Sequence, residues 1–141
     1  MKKVFLLVCL FVCLGIVGCG GSGDGSTNHV ETNIVNGKSL GFSVAGDPNN
    51  WSYDGKLNLN AGMTYTINAV VSDAQTYTSI PGYDCSKTVW TISGVGNFSP
   101  SGTTSAQGSD VTVVITASAG VKGNIRLELD GMILSFQIAV K

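Results

Sequence analysis

"NIRLELDGMILSFQIAV", Asn124 to Val140, decides the fold. Ile125, Leu127 and Leu129 alternate with polar residues before Asp130-Gly131; after it Leu134, Phe136, Ile138 and Val140 alternate with Ser135, Gln137 and Ala139. A period of two gathers each apolar set on one face of an extended strand, whereas a helix needs apolar positions three and four apart. Asp-Gly between two such runs supplies the positive φ angles of a two-residue hairpin turn. The stretch predicts two antiparallel strands, each buried on one face.

The same period runs backwards through the chain from this hairpin to about Ile34. Val111, Val113 and Ile115 share a face, and Thr88 to Ser93 turns Trp90 and Ile92 inward. Met63, Tyr65, Ile67, Ala69 and Val71 form the longest alternation of the first half, preceded by Leu57 with Leu59 and by Leu40, Phe42 and Val44. Between these runs lie turn-rich pieces: Gly46 to Asn50, Asn60 to Gly62, Pro81-Gly82, Gly94 to Gly108 and Ala119 to Gly123. Helical periodicity is absent apart from a single turn expected around Asp73 to Gln75. Seven or eight short strands with one apolar face each need a second sheet to cover that face, which predicts an all-β, antiparallel β-sandwich.

Two segments, "NAGMTYTINAVVSDA" (60–74) and "TVWTISGVGNFSPSGTTSAQGSDVTVVITASAGVKGNIRLELDG" (88–131), resemble bacterial immunoglobulin-like domains. That family has a turn into a long strand, a strand with Trp, a Gly-rich middle, a Val-rich strand and a final pair. The resemblance covers about Leu40 to Lys141 and implies an immunoglobulin-like sandwich over 34–141 with Trp90 in its core. It departs from antibody-type domains, since neither the Met63 to Val71 strand nor the Asn124 to Asp130 strand carries a Cys, and no Tyr stands near the latter for a tyrosine corner. The family fixes no function for a single copy. The Gly94 to Gly108 region, with no helix expected after it, reads as loop or edge strand and not as a phosphate cradle.

At the other end, Met1-Lys2-Lys3 precedes an apolar run from Val4 to Val17. Fourteen residues of helix reach roughly 21 Å, short of a hydrocarbon core of about 30 Å. A positive start, a short apolar run and small residues at its end make a secretory signal. Ile16-Val17-Gly18-Cys19 resembles the bacterial lipobox. The resemblance implies cleavage between Gly18 and Cys19 by signal peptidase II, a signal peptide over 1–18, and acylation of Cys19, palmitate included. Two or three acyl chains hold a protein stably on a bilayer without spanning it. Gly20 after the cysteine implies outer-membrane delivery in a bacterium with two membranes, and the outer face of the plasma membrane in one with a single membrane.

Residues 19–33 form a tether. Gly20 to Asn33, GGSGDGSTNHVETN, has too few apolar groups to fold, and its coil reach is about 20 Å. The only histidine, His29, lies in it, either as a functional group or as a solvated linker residue. The 141 residues carry 8 Lys and Arg against 9 Asp and Glu, scattered without a basic stripe, which argues against nucleic acid as a partner. Of the 4 cysteines, Cys9 and Cys13 leave with the signal and Cys19 becomes a thioether, so Cys85 keeps the only thiol. It is expected either to bridge two molecules or react, or to fill the core as a small hydrophobe.

A nucleophile needs a base within reach, and the domain beyond the tether holds no His; its carboxylates stand mostly at turns. No catalytic residue, metal site or cofactor is assigned. Two loops remain as candidate binding sites. In GDPNNWSYDG, Asp47, Asn49, Asn50 and Asp54 offer oxygen ligands for Ca²⁺ while Trp51 and Tyr53 offer faces for a sugar. The spacing is not that of an EF-hand, and the competing expectation is a turn whose Asx side chains bond their own backbone. In DAQTYTSIPGY, Tyr77, Ile80 and Tyr83 either present a protein-contact surface or fold back over the core. The expected protein is a membrane-tethered envelope module that binds a protein or glycan, or serves as a structural element.

Overall fold

The computed structural model describes residues 31–45 and 56–141, and among them there is no helix. Two sheets pack face to face. The first has the order β1 (Glu31–Asn33), β10 (Met132–Val140), β9 (Lys122–Leu129), β5 (Val89–Ser93), β7 (Ser105–Gln107), with β3 (Lys56–Leu59) running parallel to the outer half of β10. The second has the order β2 (Lys38–Val44), β4 (Thr64–Asp73), β8 (Asp110–Ile115), β6 (Gly96–Ser99). Apart from the β3–β10 pair, every ladder is antiparallel. The facing orders β2-β4-β8-β6 and β10-β9-β5 match the A-B-E-D and G-F-C sheets of a constant-type immunoglobulin sandwich.

The Asp130-Gly131 hairpin forms as its sequence requires. Met132 pairs with Leu129, and φ of 50° and 79° at the two turn residues is the type I′ geometry that matches strand twist. Asn36-Gly37, at 50° and 72°, closes a second two-residue turn between Val35 and Lys38. The alternating apolar residues point inward: Leu40, Phe42, Val44, Ile67, Val71, Val111, Val113 and Ile115 from one sheet meet Leu57, Leu59, Trp90, Ile92 and the inward faces of β9 and β10 from the other. Each such side chain contributes about 1.5–3 kcal/mol by leaving water. Phe42 stacks on Phe136 across the sandwich, ring centroids 4.1 Å apart. Trp90 is fully buried, and its indole N–H donates to the Gly108 carbonyl at 2.9 Å, so its one polar atom is satisfied inside the core.

Among the described residues ten strands form, where seven or eight were expected. The additional ones are short and fall in stretches poor in alternation. Glu31–Asn33, assigned above to the tether, pairs with Ser135 to Ile133 as β1. Backbone groups of β10 recruit this polar segment, because β3 begins its pairing only at Gln137. The Gly94 to Gly108 stretch contains β6 and β7, each at the edge of its sheet. Both edges are blunted: β7 is three residues long, and Thr103 folds back to bridge Phe98 of β6. Met63, expected inward, is 53 % exposed, because β4 begins one residue later and Met63 belongs to the turn. Two glycines sit where backbones touch: a Cβ on Gly96 would lie 2.0 Å from the Val114 carbonyl oxygen, and one on Gly123 would lie 2.1 Å from that of Ser93.

Candidate functional site

Gly18, Cys19 and the loop holding Asp47, Asn49, Asn50, Trp51, Tyr53 and Asp54 lie outside the described residues. The second candidate loop, Asp73 to Tyr83, and the segment that follows it to Thr88 are described throughout. The loop leaves β4 at the end of the sandwich that also carries the Asn36-Gly37 and Asp130-Gly131 turns, since Lys38 pairs with Asp73 and Ala74 N–H donates to the Gly37 carbonyl at 2.8 Å.

Asp73 organises the tip. Its Oδ1 accepts from the backbone N–H groups of Gln75 and Thr76, both at 2.9 Å, and from the Thr76 hydroxyl at 3.1 Å. The Thr76 N–H, then that of Gln75, then the Thr76 hydroxyl hold the carboxyl below the ordinary carboxylate range. The chain then closes on itself, with Tyr77 N–H donating to the Asp73 carbonyl at 2.9 Å and Asp73 N–H to the Thr78 carbonyl at 2.9 Å. Closure in this form puts the last loop residue at φ 56°, a conformation that suits Gly or Asn and costs a larger side chain about 1–2 kcal/mol. The residue there is Tyr77, and it is 83 % exposed.

Beyond the tip the chain returns to the core. Ile80 N–H donates to the Val71 carbonyl at 2.8 Å, and the Ile80 side chain packs half-buried against the core. Tyr83 also lies half-buried, and its hydroxyl donates to Asp130 Oδ2 at 2.9 Å; that bond pushes the phenol's pKa up. Asp84 accepts from Ser86 N–H at 2.9 Å, and its carboxyl is held low by the Ser86 hydroxyl first and that N–H second. Cys85 is a free thiol buried among the core residues, its pKa raised by burial and by the charge of Asp84. Thr88, fully buried, donates its hydroxyl to the Cys85 carbonyl at 2.8 Å and closes the loop.

The structure therefore divides the three loop residues that the sequence grouped. Ile80 and Tyr83 are packing residues, while Tyr77 stands alone in solvent. The spacing Asp73-x-x-Thr76 suits an Asx-type turn and marks the tip, but it does not say which of the three side chains stays outside.

On the outer face of the first sheet, a shallow depression of about 300 Å³ beside the Asp130-Gly131 turn is lined by Lys87, Val89, Glu128 and Ile133 among others, and Tyr77 is not part of it. Arg126 forms an ion pair with Glu128 on the same face. Among the described residues, no three His, Cys, Asp or Glu side chains gather as metal ligands, and no helix is long and apolar enough to cross a membrane. Comparison with protein-family models, curated proteins and solved structures returned no match. The chemistry on offer at Asp73 to Thr88 is a rigid aromatic contact, with its carboxylates engaged by the loop's own donors.

Proposed function

We propose that the chain is a bacterial envelope lipoprotein: acyl chains on Cys19 hold an immunoglobulin-like sandwich at a membrane surface, and the sandwich acts by binding and not by catalysis. The observation that carries this is Ile16-Val17-Gly18-Cys19 at the end of a fourteen-residue apolar run, followed directly by a polar, glycine-rich segment. The run is too short to span a bilayer comfortably and ends where a lipobox would end it. Tethering confines the domain to a thin layer and raises its effective concentration toward envelope partners. Gly20 favours the outer membrane where the cell has two.

Metabolic labelling with an alkyne analogue of palmitate tests the tether. The wild-type chain is expected to label and to move to the membrane fraction, and Cys19→Ser is expected to lose the label and accumulate as unprocessed precursor. A wild-type chain that is processed without taking up label would sink the lipoprotein reading.

A further inference from the structure

We propose that the sandwich rests on its membrane by the end that carries Met63, Val121, Lys122 and Lys141, and that this end takes up the anionic head groups of the bilayer. The proposal deepens the reading of the chain as an acylated envelope protein and rests on it.

Charges that are scattered in sequence separate in the fold. At the end with the Asp130-Gly131 turn stand Asp73, Asp84, Glu128 and Asp130, together with Lys38 opposite Asp73 and Lys87 just before β5. Midway lie Arg126, ion-paired with Glu128, then Glu31, whose backbone meets Ser135 as that of Arg126 does, and Asp110, opposite Asn68. Toward the other end come Lys56 opposite Gln137, Lys122 opposite Ala139, and Lys141 directly after Val140. Among the described residues no carboxylate side chain joins these three; Asp47 and Asp54 lie outside the described residues. Lys56 has a partner of its own, so the surface rests on Lys122 and Lys141, both exposed. An α-carboxylate at Lys141 would cancel one charge and leave the end positive. Two exposed apolar side chains share it. Met63, 53 % exposed, closes the turn from β3 into β4 with its N–H on the Asn60 carbonyl, and Val121, 38 % exposed, adjoins Lys122. Apolar groups beside lysines suit the boundary between head groups and acyl chains.

The tether approaches from the same side. Glu31 pairs with Ser135 and Asn33 with Ile133, so the chain comes into the sheet from the direction of Lys141. From Ser135 to Lys141 the backbone covers about 20 Å, equal to the coil reach expected of the tether, so Cys19 can sit in lipid while this end meets the head groups. The nine residues of β10 span about 30 Å, several times a Debye length of about 8 Å, so each end of the sandwich meets the surface field by itself. An anionic surface attracts Lys122 and Lys141 and repels the end with Asp73, Asp84, Glu128 and Asp130. Acyl chains supply the attachment, and the lysines have only to choose the pose.

The test uses the acylated full chain in vesicles of phosphatidylcholine and phosphatidylglycerol, with a nitroxide on the lipid head group as quencher. A fluorophore is placed by Ser118→Cys, whose carbonyl position accepts from Val121 N–H, or by Gln75→Cys at the opposite end. Both positions are exposed, and Cys85 is buried. Quenching is expected to be about threefold stronger at position 118 than at position 75. Salt near ~1 M, which shortens the Debye length to about 3 Å, should at least halve that contrast, as should vesicles of phosphatidylcholine alone. Lys122→Glu with Lys141→Glu should do the same without shifting the melting midpoint, since both side chains are exposed. Equal quenching, stronger quenching at 75, or a contrast that salt and lipid charge leave unchanged would overturn the proposal and leave this end to a protein or a second copy. A chain that floats with phosphatidylcholine vesicles but shows no contrast in the anionic ones removes this surface alone. A chain that floats with neither removes the tether and the surface with it.

Discussion

The Tyr83 hydroxyl donates to Asp130 Oδ2 across 47 residues of sequence, tying the long loop after β4 to the hairpin turn between β9 and β10. The bond needs a protonated phenol, and it raises the phenol's pKa. Its stabilising effect is therefore complete below the unfolded tyrosine pKa near ~10 and is lost as pH rises through the higher folded value. Tyr83→Phe is expected to melt slightly lower than wild type at pH 7 and to lose less of its melting midpoint between pH 9 and 11. Parallel alkaline curves for the two proteins would show that the bond contributes nothing in solution.

Asp73 has the opposite sign. Its carboxyl is held low by the N–H groups and hydroxyl of its own turn, so its contribution is present above the unfolded carboxylate pKa of about 3.9 and fades as pH falls through the lower folded value. Asp73→Asn keeps an acceptor oxygen and should flatten part of the acid sensitivity below pH 4. Asp73→Ala removes the acceptor and should loosen the Ala74 to Tyr77 tip at every pH, seen as faster amide exchange at Gln75 and Thr76.

Much of this architecture could be read from the chain because the hydrophobic effect writes it in alternation. Ile125 to Val140 and Val111 to Ile115 are half-buried strands with no competing period. Glu31–Asn33 carries no such mark, since β1 joins the sheet by pairing with β10, and Thr32 and Asn33 stay exposed. Gly96–Ser99 and Ser105–Gln107 are too short for a period of two to show, and Phe98 is the single deeply buried residue they share. The split between Tyr77 and Tyr83 was invisible for another reason: the residue that captures Tyr83 is Asp130, and no local pattern predicts a partner that distant. The spacing in Asp73-x-x-Thr76 marked the turn without saying which aromatic would stay outside.

Close packing of backbones at Gly96 and Gly123 is expected to make both intolerant of alanine. Each new methyl meets a carbonyl oxygen at 2.0–2.1 Å, within the sheets and away from any flexible end. A loss of about 3 kcal/mol or more in denaturant unfolding is expected for Gly123→Ala. Gly37→Ala, with nothing within 4 Å of its Cβ, should cost only the left-handed penalty of about 1 kcal/mol.

Cys85 is expected to behave as a core residue. Burial raises its pKa and blocks access, so the native thiol should react with an aromatic disulfide reagent at pH 8 at least tenfold more slowly than the unfolded chain. Thr88→Val, which removes the hydroxyl bonded to the Cys85 carbonyl, should lower stability by about 1 kcal/mol and speed that reaction. Equal rates for native and unfolded protein would place the thiol at the surface.

The split edge of the first sheet also has a mechanical meaning. β1 lies antiparallel on the first half of β10 and β3 takes over on the second, so among the described residues a pull applied at Glu31 would load the Glu31–Ser135 pair first. Peeling the three pairs of β1 would release about 10 Å of chain, up to the Asn33 side-chain amide that donates to the Gly131 carbonyl. Only past that catch does force arrive at the seven pairs of β2 with β4. The three-residue edge strand would then yield under a pull as a short extensible link before the packed interior is loaded.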